Sequence, residues 1–192
     1  FAIKQKGKFR EEPLPPNEEH LTWRKACISL KDHYDQRSPE EKEQLQTQGD
    51  ELFWKSEMQL RRIFDSYGAD PESIHIMEHF PIRQLQERRR ANYQYLLKHL
   101  NSSEAWEIVF PVLPEGVVPS HLTLYASDRE ALRSALADAG IGCTTYWPVG
   151  PLVHLKGHPN AQYIYDHVCS VPCDQRYGEA EMQEICDVLN AI

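Results

Sequence analysis

"CSVPCDQRYGEAEM", residues 169–182, admits two readings, and the choice between them sets the fold. Two cysteines four apart beside a proline read either as a metal clip or as the end of a strand. A charged turn, Asp174-Gln175-Arg176-Tyr177, follows, and then a helix in which Met182, Ile185, Leu189 and Ile192 recur at spacings of three, four and three. A zinc clip needs further ligands, and His154 and His158 are the candidates. Gly157 and Pro159 put those histidines on a loop, and the cysteines of a zinc ribbon stand two residues apart rather than four. As a strand, positions 169, 171 and 173 point the same way, so the thiols share a face. The reading is strand, turn and helix, with buried thiols, surface histidines and no metal site.

Upstream the texture is alternating. "WEIVFPV" (106–112) and "VVPSHLTLYA" (117–126) read as strands joined by the turn "LPEG", with Pro111 and Pro119 confining parts of them to strand ends. Ser127 and Glu130 form a capping box for a helix over 128–139 that stops at Gly140. "IGCTTYW" (141–147) is a further strand, ended by Pro148, and a short helix near 161–167 precedes "VCSVP". The order is β-β-α-β-(loop, α)-β-α, an α+β fold class.

The first half is helical. Asn17 is an N-cap, and Trp23, Cys27, Leu30 and Tyr34 trace an apolar face. "SPEE" at 38–41 opens a second helix running to about Tyr67, weakened early by Gly49, with Phe53, Leu60, Ile63, Phe64 and Tyr67 as its apolar face. "GADPES" marks a turn. A long helix of about 81–100 then carries Ile82, Leu85, Arg89, Asn92/Tyr93, Leu96 and Leu100 on one stripe, and the polar members say that this is not a plain core helix.

A net charge of −8 without a basic stripe argues against nucleic acid as a partner. No apolar run is long enough to span a bilayer, and the five scattered cysteines read as reduced thiols of a cytoplasmic protein. Neither a Gly-x-Ser-x-Gly elbow nor a Walker or Rossmann glycine loop occurs, and no motif brings Cys143, His121 and Asp128 together as a triad. Lys4, Lys6 and Lys8 alternate towards solvent and are not expected to be catalytic. The chain opens Phe1-Ala2-Ile3 without methionine, as though a strand were continuing from upstream, so a fragment of a longer polypeptide is expected.

Five pieces in order carry a resemblance: Arg90-Ala91-Asn92-Tyr93; Asp128-Arg129; Gly140-Ile141; Tyr146-Trp147-Pro148; and Val171-Pro172-Cys173-Asp174-Gln175-Arg176-Tyr177. Over residues 88–192 the chain resembles the C-terminal part of the DegT/StrS family, fold-type-I, pyridoxal-phosphate-dependent sugar aminotransferases. The resemblance implies that residues 81–192 are a small α+β C-terminal domain, entered through the helix of about 81–100. It implies that residues 1–80 are the helical tail of a larger, mostly absent cofactor-binding domain, α/β in the parent. Pyridoxal phosphate belongs to that intact parent, with none bound by this chain alone, because the cofactor lysine is expected upstream of Phe1. Expected partners are a nucleotide sugar, an amino-acid donor and a second copy in a homodimer. Tyr146, Trp147 and Pro148 are the expected substrate contacts, with His121 beside them, although Tyr146 and Trp147 suit the capping of a core equally. Asp128 and Arg129 are expected to be helix-start and packing residues. The rival reading is a stand-alone, non-catalytic α+β binding or regulatory module.

Overall fold

A computed structural model describes residues 14–32, 34–63, 65–145, 149–150 and 152–192. The chain divides into two compact units between Phe80 and Pro81. Among the described residues no helix is long and apolar enough to cross a membrane.

The first unit holds α1 (Glu18–Ser29), a short 3-10 turn (Tyr34–Gln36), α2 (Pro39–Ile63) and α3 (Pro71–His79). Asn17 caps α1, its side chain accepting the His20 N–H at 3.0 Å. Ser38 and Glu41 exchange reciprocal side-chain-to-backbone bonds at the start of α2, so the capping box forms as read. Helices α1 and α2 pack antiparallel: Asn17 bonds Gln59 at one end, and the Cys27 thiol donates to the Gly49 carbonyl towards the other.

The covered stripe of α2 is Leu45, Gly49, Leu52, Ser56, Gln59 and Ile63, one residue round from the expected face. Phe53 and Leu60 are consequently exposed, Tyr67 beyond the helix is exposed as well, and Phe64 lies outside the described residues. Polar contacts mark this face: Gln59 bonds Asn17 and the Gly49 carbonyl accepts from Cys27, so the side of α2 turned to α1 is not its most apolar one. Helix α2 also ends at Ile63, short of Tyr67. Beyond it the Gly68 N–H bonds the Pro15 carbonyl at 3.0 Å, which needs a non-helical backbone.

"GADPES" is more than a turn. Asp70 caps α3, accepting the Ser73 N–H at 3.1 Å, with Pro71 in the first helical turn.

Two glycines of this unit respond oppositely to a methyl group. A Cβ on Gly49 meets only the Leu30 Cδ1 at 4.0 Å, so Gly49→Ala gains helix propensity and stabilises by about 0.5–1 kcal/mol. A Cβ on Gly68 lies 2.5 Å from the Leu14 carbonyl oxygen, so Gly68→Ala costs about 1–3 kcal/mol in forced backbone movement. Urea titration of both variants checks the opposite signs.

The second unit is α+β. It runs α4 (Ile82–His99), β1 (Trp106–Ile108), β2 (His121–Ala126), α5 (Arg129–Asp138), α6 (Pro159–His167), β3 (Val168–Pro172) and α7 (Glu179–Asn190). The sheet is antiparallel in the order β1-β2-β3, with Trp106 opposite Ala126 and His121 opposite Pro172. Alternation on β2 puts Leu122, Leu124 and Ala126 into the core and His121, Thr123 and Tyr125 on the other face. Helices α4, α5 and α7 fill the core side with Tyr93, Leu96, Leu132, Leu136, Met182, Ile185 and Leu189. Helix α6 lies near the opposite face, where Tyr163 meets Tyr125 edge-on at 5.4 Å.

Two expectations change here. Over 141–145 the expected strand reduces to one bridge, in which Thr144 and Ser170 exchange N–H···O bonds of 2.9 Å each. Gly140, at φ 74°, and Gly142 precede it and supply no side chain to pack a longer pairing. The cap of α5 is Asp128, which accepts the Ala131 N–H at 2.9 Å, while Ser127 turns its hydroxyl to the Ala105 carbonyl. Asp128 is therefore a helix-start residue, and Arg129 packs across to donate to the Tyr165 carbonyl.

Candidate functional site

Helix α4 organises one end of the sheet through its polar stripe. Asn92, buried, directs its amide nitrogen at three backbone carbonyls: Cys173 at 3.3 Å, Asp174 at 2.9 Å and Tyr177 at 3.1 Å. Arg89 donates from Nε to the Gln175 Oε1 at 2.7 Å. The Asp-Gln-Arg-Tyr turn is thus held from below by α4. It also locks itself, since Asp174 accepts the Arg176 N–H at 3.0 Å and two guanidinium bonds, from Nε at 2.9 Å and Nη2 at 2.7 Å.

The other half of the stripe grips the β1–β2 connection. Tyr93 donates its hydroxyl to the Phe110 carbonyl at 2.7 Å. Arg90 donates to the Pro114 carbonyl at 3.0 Å and to that of Val117. Between this connection and β2 lies a mostly apolar cavity of about 380 Å³, walled by Tyr93, Phe110, Val112, Val117, Pro119, Thr123 and His121. Its volume lies within the range of small-molecule sites.

His121, half-buried, faces this cavity, and its Nδ1 lies 2.9 Å from the Ser120 hydroxyl. Burial pulls its pKa below the ordinary 6.5; Asp174 opposes that, and Arg176 and Arg89 add to it. Asp174 is held below the ordinary 3.8, chiefly by the Arg176 hydrogen bonds. Both shifts have the same consequence on acidification. A depressed pKa means that the unfolded chain binds more protons, so the stabilisation is complete above the ordinary value and is lost as pH falls through the folded one. Stability is therefore expected to fall below pH 6.5 as His121 protonates, and again below pH 3.8 as Asp174 does. His121→Gln removes the first fall and leaves the second, as urea titrations across that range will read.

The expected site residues meet different fates. His121 is on the cavity wall. Tyr146, Trp147 and Pro148 lie outside the described residues. His121 and Asp128 flank opposite ends of β2, about 20 Å apart at the rise of a strand, so a triad with Cys143 does not assemble. His154 and His158 are exposed, whereas Cys169 and Cys173 are in the core, where burial pushes the Cys173 thiol up to about 12. Among the described residues no three histidine, cysteine or carboxylate side chains gather as a metal would need.

Sequence reasoning did not single out Phe110, Val112 and Val117 as site residues. A signal was there, since Pro111 ends the pairing and leaves apolar residues that no sheet face claims.

No protein-family model matches the chain, and no curated protein does. Among solved structures it is similar to the sugar aminotransferase CalS13 from Micromonospora echinospora, at 18% identity and a TM-score of 0.47. The match covers 58% of this chain and 31% of that one, so the likeness spans less than a third of the aminotransferase.

Proposed function

We propose that residues 81–192 are the small C-terminal domain of a DegT/StrS-type, pyridoxal-phosphate-dependent aminotransferase. Its substrate is a nucleotide-linked keto sugar, aminated at the expense of an amino acid. One observation supports the reading above others. Two of the pieces that carry the resemblance, Arg90-Ala91-Asn92-Tyr93 and Val171–Tyr177, are far apart in the chain yet joined by three hydrogen bonds from Asn92. The Arg90 and Tyr93 of the same signature hold the wall of the cavity that His121 faces. The signature residues thus act as a single device for shaping a site.

The described residues do not fit the cofactor itself. A lysine that bonds it covalently needs a desolvated pocket to lose its proton. Lys25, Lys31, Lys55, Lys98 and Lys156 are exposed, and Lys42 is only half-buried, its ammonium 5.6 Å from the Tyr34 ring centre. No described helix opens on a glycine- or serine-rich turn suited to a phosphate. In this proposal the cofactor lysine and the phosphate-holding groups come from outside the described residues. The domain's part is to bind and orient substrate through His121, Tyr146, Trp147 and Pro148, in a homodimer and in the cytoplasm.

The test uses the complete polypeptide of the reading frame that encodes these 192 residues. Supplied with pyridoxal phosphate, an amino-acid donor and a nucleotide-linked keto sugar, it is expected to yield the aminated sugar by mass. His121→Ala is expected to lower kcat/KM roughly tenfold, the loss of about one hydrogen bond in the site. No retained cofactor and no amino transfer, together with a monodisperse 192-residue chain, would favour the binding module instead.

A further inference from the structure

The Thr144–Ser170 bridge brings together two thiols that nothing above uses. In an antiparallel pair the residues flanking a bridge share the opposite face, so Cys143 and Cys169 point to the same side and are diagonal neighbours. Cys169 is fully buried, Cys143 is half-buried, and both are free.

We infer that Cys143 and Cys169 form a reversible disulfide when a peroxide reaches Cys143, and that closing it draws residues 143–145 off their one bridge to β3. The surroundings favour the chemistry. The neighbouring Cys169 thiol holds the Cys143 pKa below the ordinary thiol value; burial and Glu130 oppose that, and the Ser170 backbone and Arg133 add to it. The Arg133 Nε is itself buried without a hydrogen-bond partner among the described residues.

The step balances in two stages. The Cys143 thiolate attacks one peroxide oxygen, the O–O bond breaks, and the departing hydroxide takes a proton to become water, leaving a sulfenic acid. The Cys169 sulfur then attacks the Cys143 sulfur; the S–O bond breaks, and hydroxide leaves as a second water with the Cys169 proton. The two thiols lose two electrons and hydrogen peroxide gains them. The Cys169 pKa is raised first by its hydrogen bond to Cys143 and then by burial. Turning Cys143 into a neutral sulfenic acid removes the charge that opposes ionisation of Cys169.

Diagonal neighbours stand about 7–8 Å apart at Cα, just beyond disulfide reach, so the backbone must move. The segment held by a single bridge is the part that yields. Tyr146 lies three residues beyond Cys143, so under the proposed function the bond regulates substrate contact; the bond itself does not depend on that reading.

The test treats the 192-residue chain with hydrogen peroxide, blocks remaining thiols and digests with trypsin. Cleavage at Arg133, Lys156 and Arg176 isolates Cys143 from a peptide carrying Cys169 and Cys173, and fragmentation between those two assigns the partner without any variant. The expected product is a Cys143–Cys169 link that a dithiol reverses, absent from Cys143→Ser and retained in Cys173→Ala. Amide exchange at Thr144 and Ser170 is expected to quicken roughly tenfold or more on oxidation. A link to Cys173, a link between chains, oxidation of Cys143 alone, or no reaction overturns the pair. An intramolecular link with unchanged exchange overturns the movement.

Discussion

Asn92→Asp is expected to destabilise the second unit by about 3–5 kcal/mol at neutral pH. The native amide donates to three carbonyl oxygens inside the protein. A carboxylate of the same shape presents an acceptor to three acceptors at a buried position. Its pKa must therefore rise, and a group whose folded pKa is raised stabilises below its unfolded value, about 3.9, and loses that stabilisation as pH rises through the folded one. The penalty relative to wild type is accordingly expected to shrink on acidification, when a single O–H donor returns. Paired urea titrations of wild type and variant at neutral pH and near pH 4.5 check the sign, since the wild type's own acid loss cancels in the difference. A pH-independent penalty would mean that the three carbonyls do not depend on Asn92.

Trp106→Ala is expected to cost about 3–5 kcal/mol. The indole is buried among the helices packed on the sheet, and its Nε1–H donates to the Leu189 carbonyl at 3.0 Å. That bond ties the last turn of α7 to the edge strand β1, which is only three residues long. Trp106→Phe separates the contributions: it keeps most of the apolar contact and loses the donor, so about 1–2 kcal/mol is expected. Thermal unfolding of the two variants, with amide exchange along α7, reads both. If Phe costs nothing while Ala costs the full amount, the packing holds the helix end and the hydrogen bond does not.

Much of the second unit was legible because its signals are local. The alternation of His121–Ala126 states a half-buried strand, and the spacing of three and four between Met182, Ile185 and Leu189 states the helix that covers it. Ile192, the last member of that pattern, lies beyond the helix and is exposed. Arg89 and Asn92 on an otherwise apolar stripe announced that something polar would be met: Asn92 meets the carbonyls of 173, 174 and 177, and Arg89 the Gln175 side chain. The cap of α5 misled because Ser127 and Asp128 both suit a cap, and only the Ala105 carbonyl opposite Ser127 divides the two roles. Helix α3 was legible and passed over: Asp70, Pro71 and Glu72 make a start signal as good as Ser38-Pro39-Glu40-Glu41.

What the sequence determined by itself was the set of elements and the faces they would bury. Caps, turns and periodicity act within a few residues, so the chain states them wherever it is read. Tertiary structure alone decided three further matters. It rotated α2 by one residue, because the face turned to α1 is the one whose Gln59 and Gly49 carbonyl bond Asn17 and Cys27, partners that no local pattern in α2 states. It shortened the 141–145 strand to one bridge, because pairing needs a partner in register and only Ser170 supplies it. It also made a half-open cavity from Phe110, Val112 and Val117, since a concave site belongs to no one segment and exists only where the loop that Arg90 and Tyr93 hold comes down beside His121.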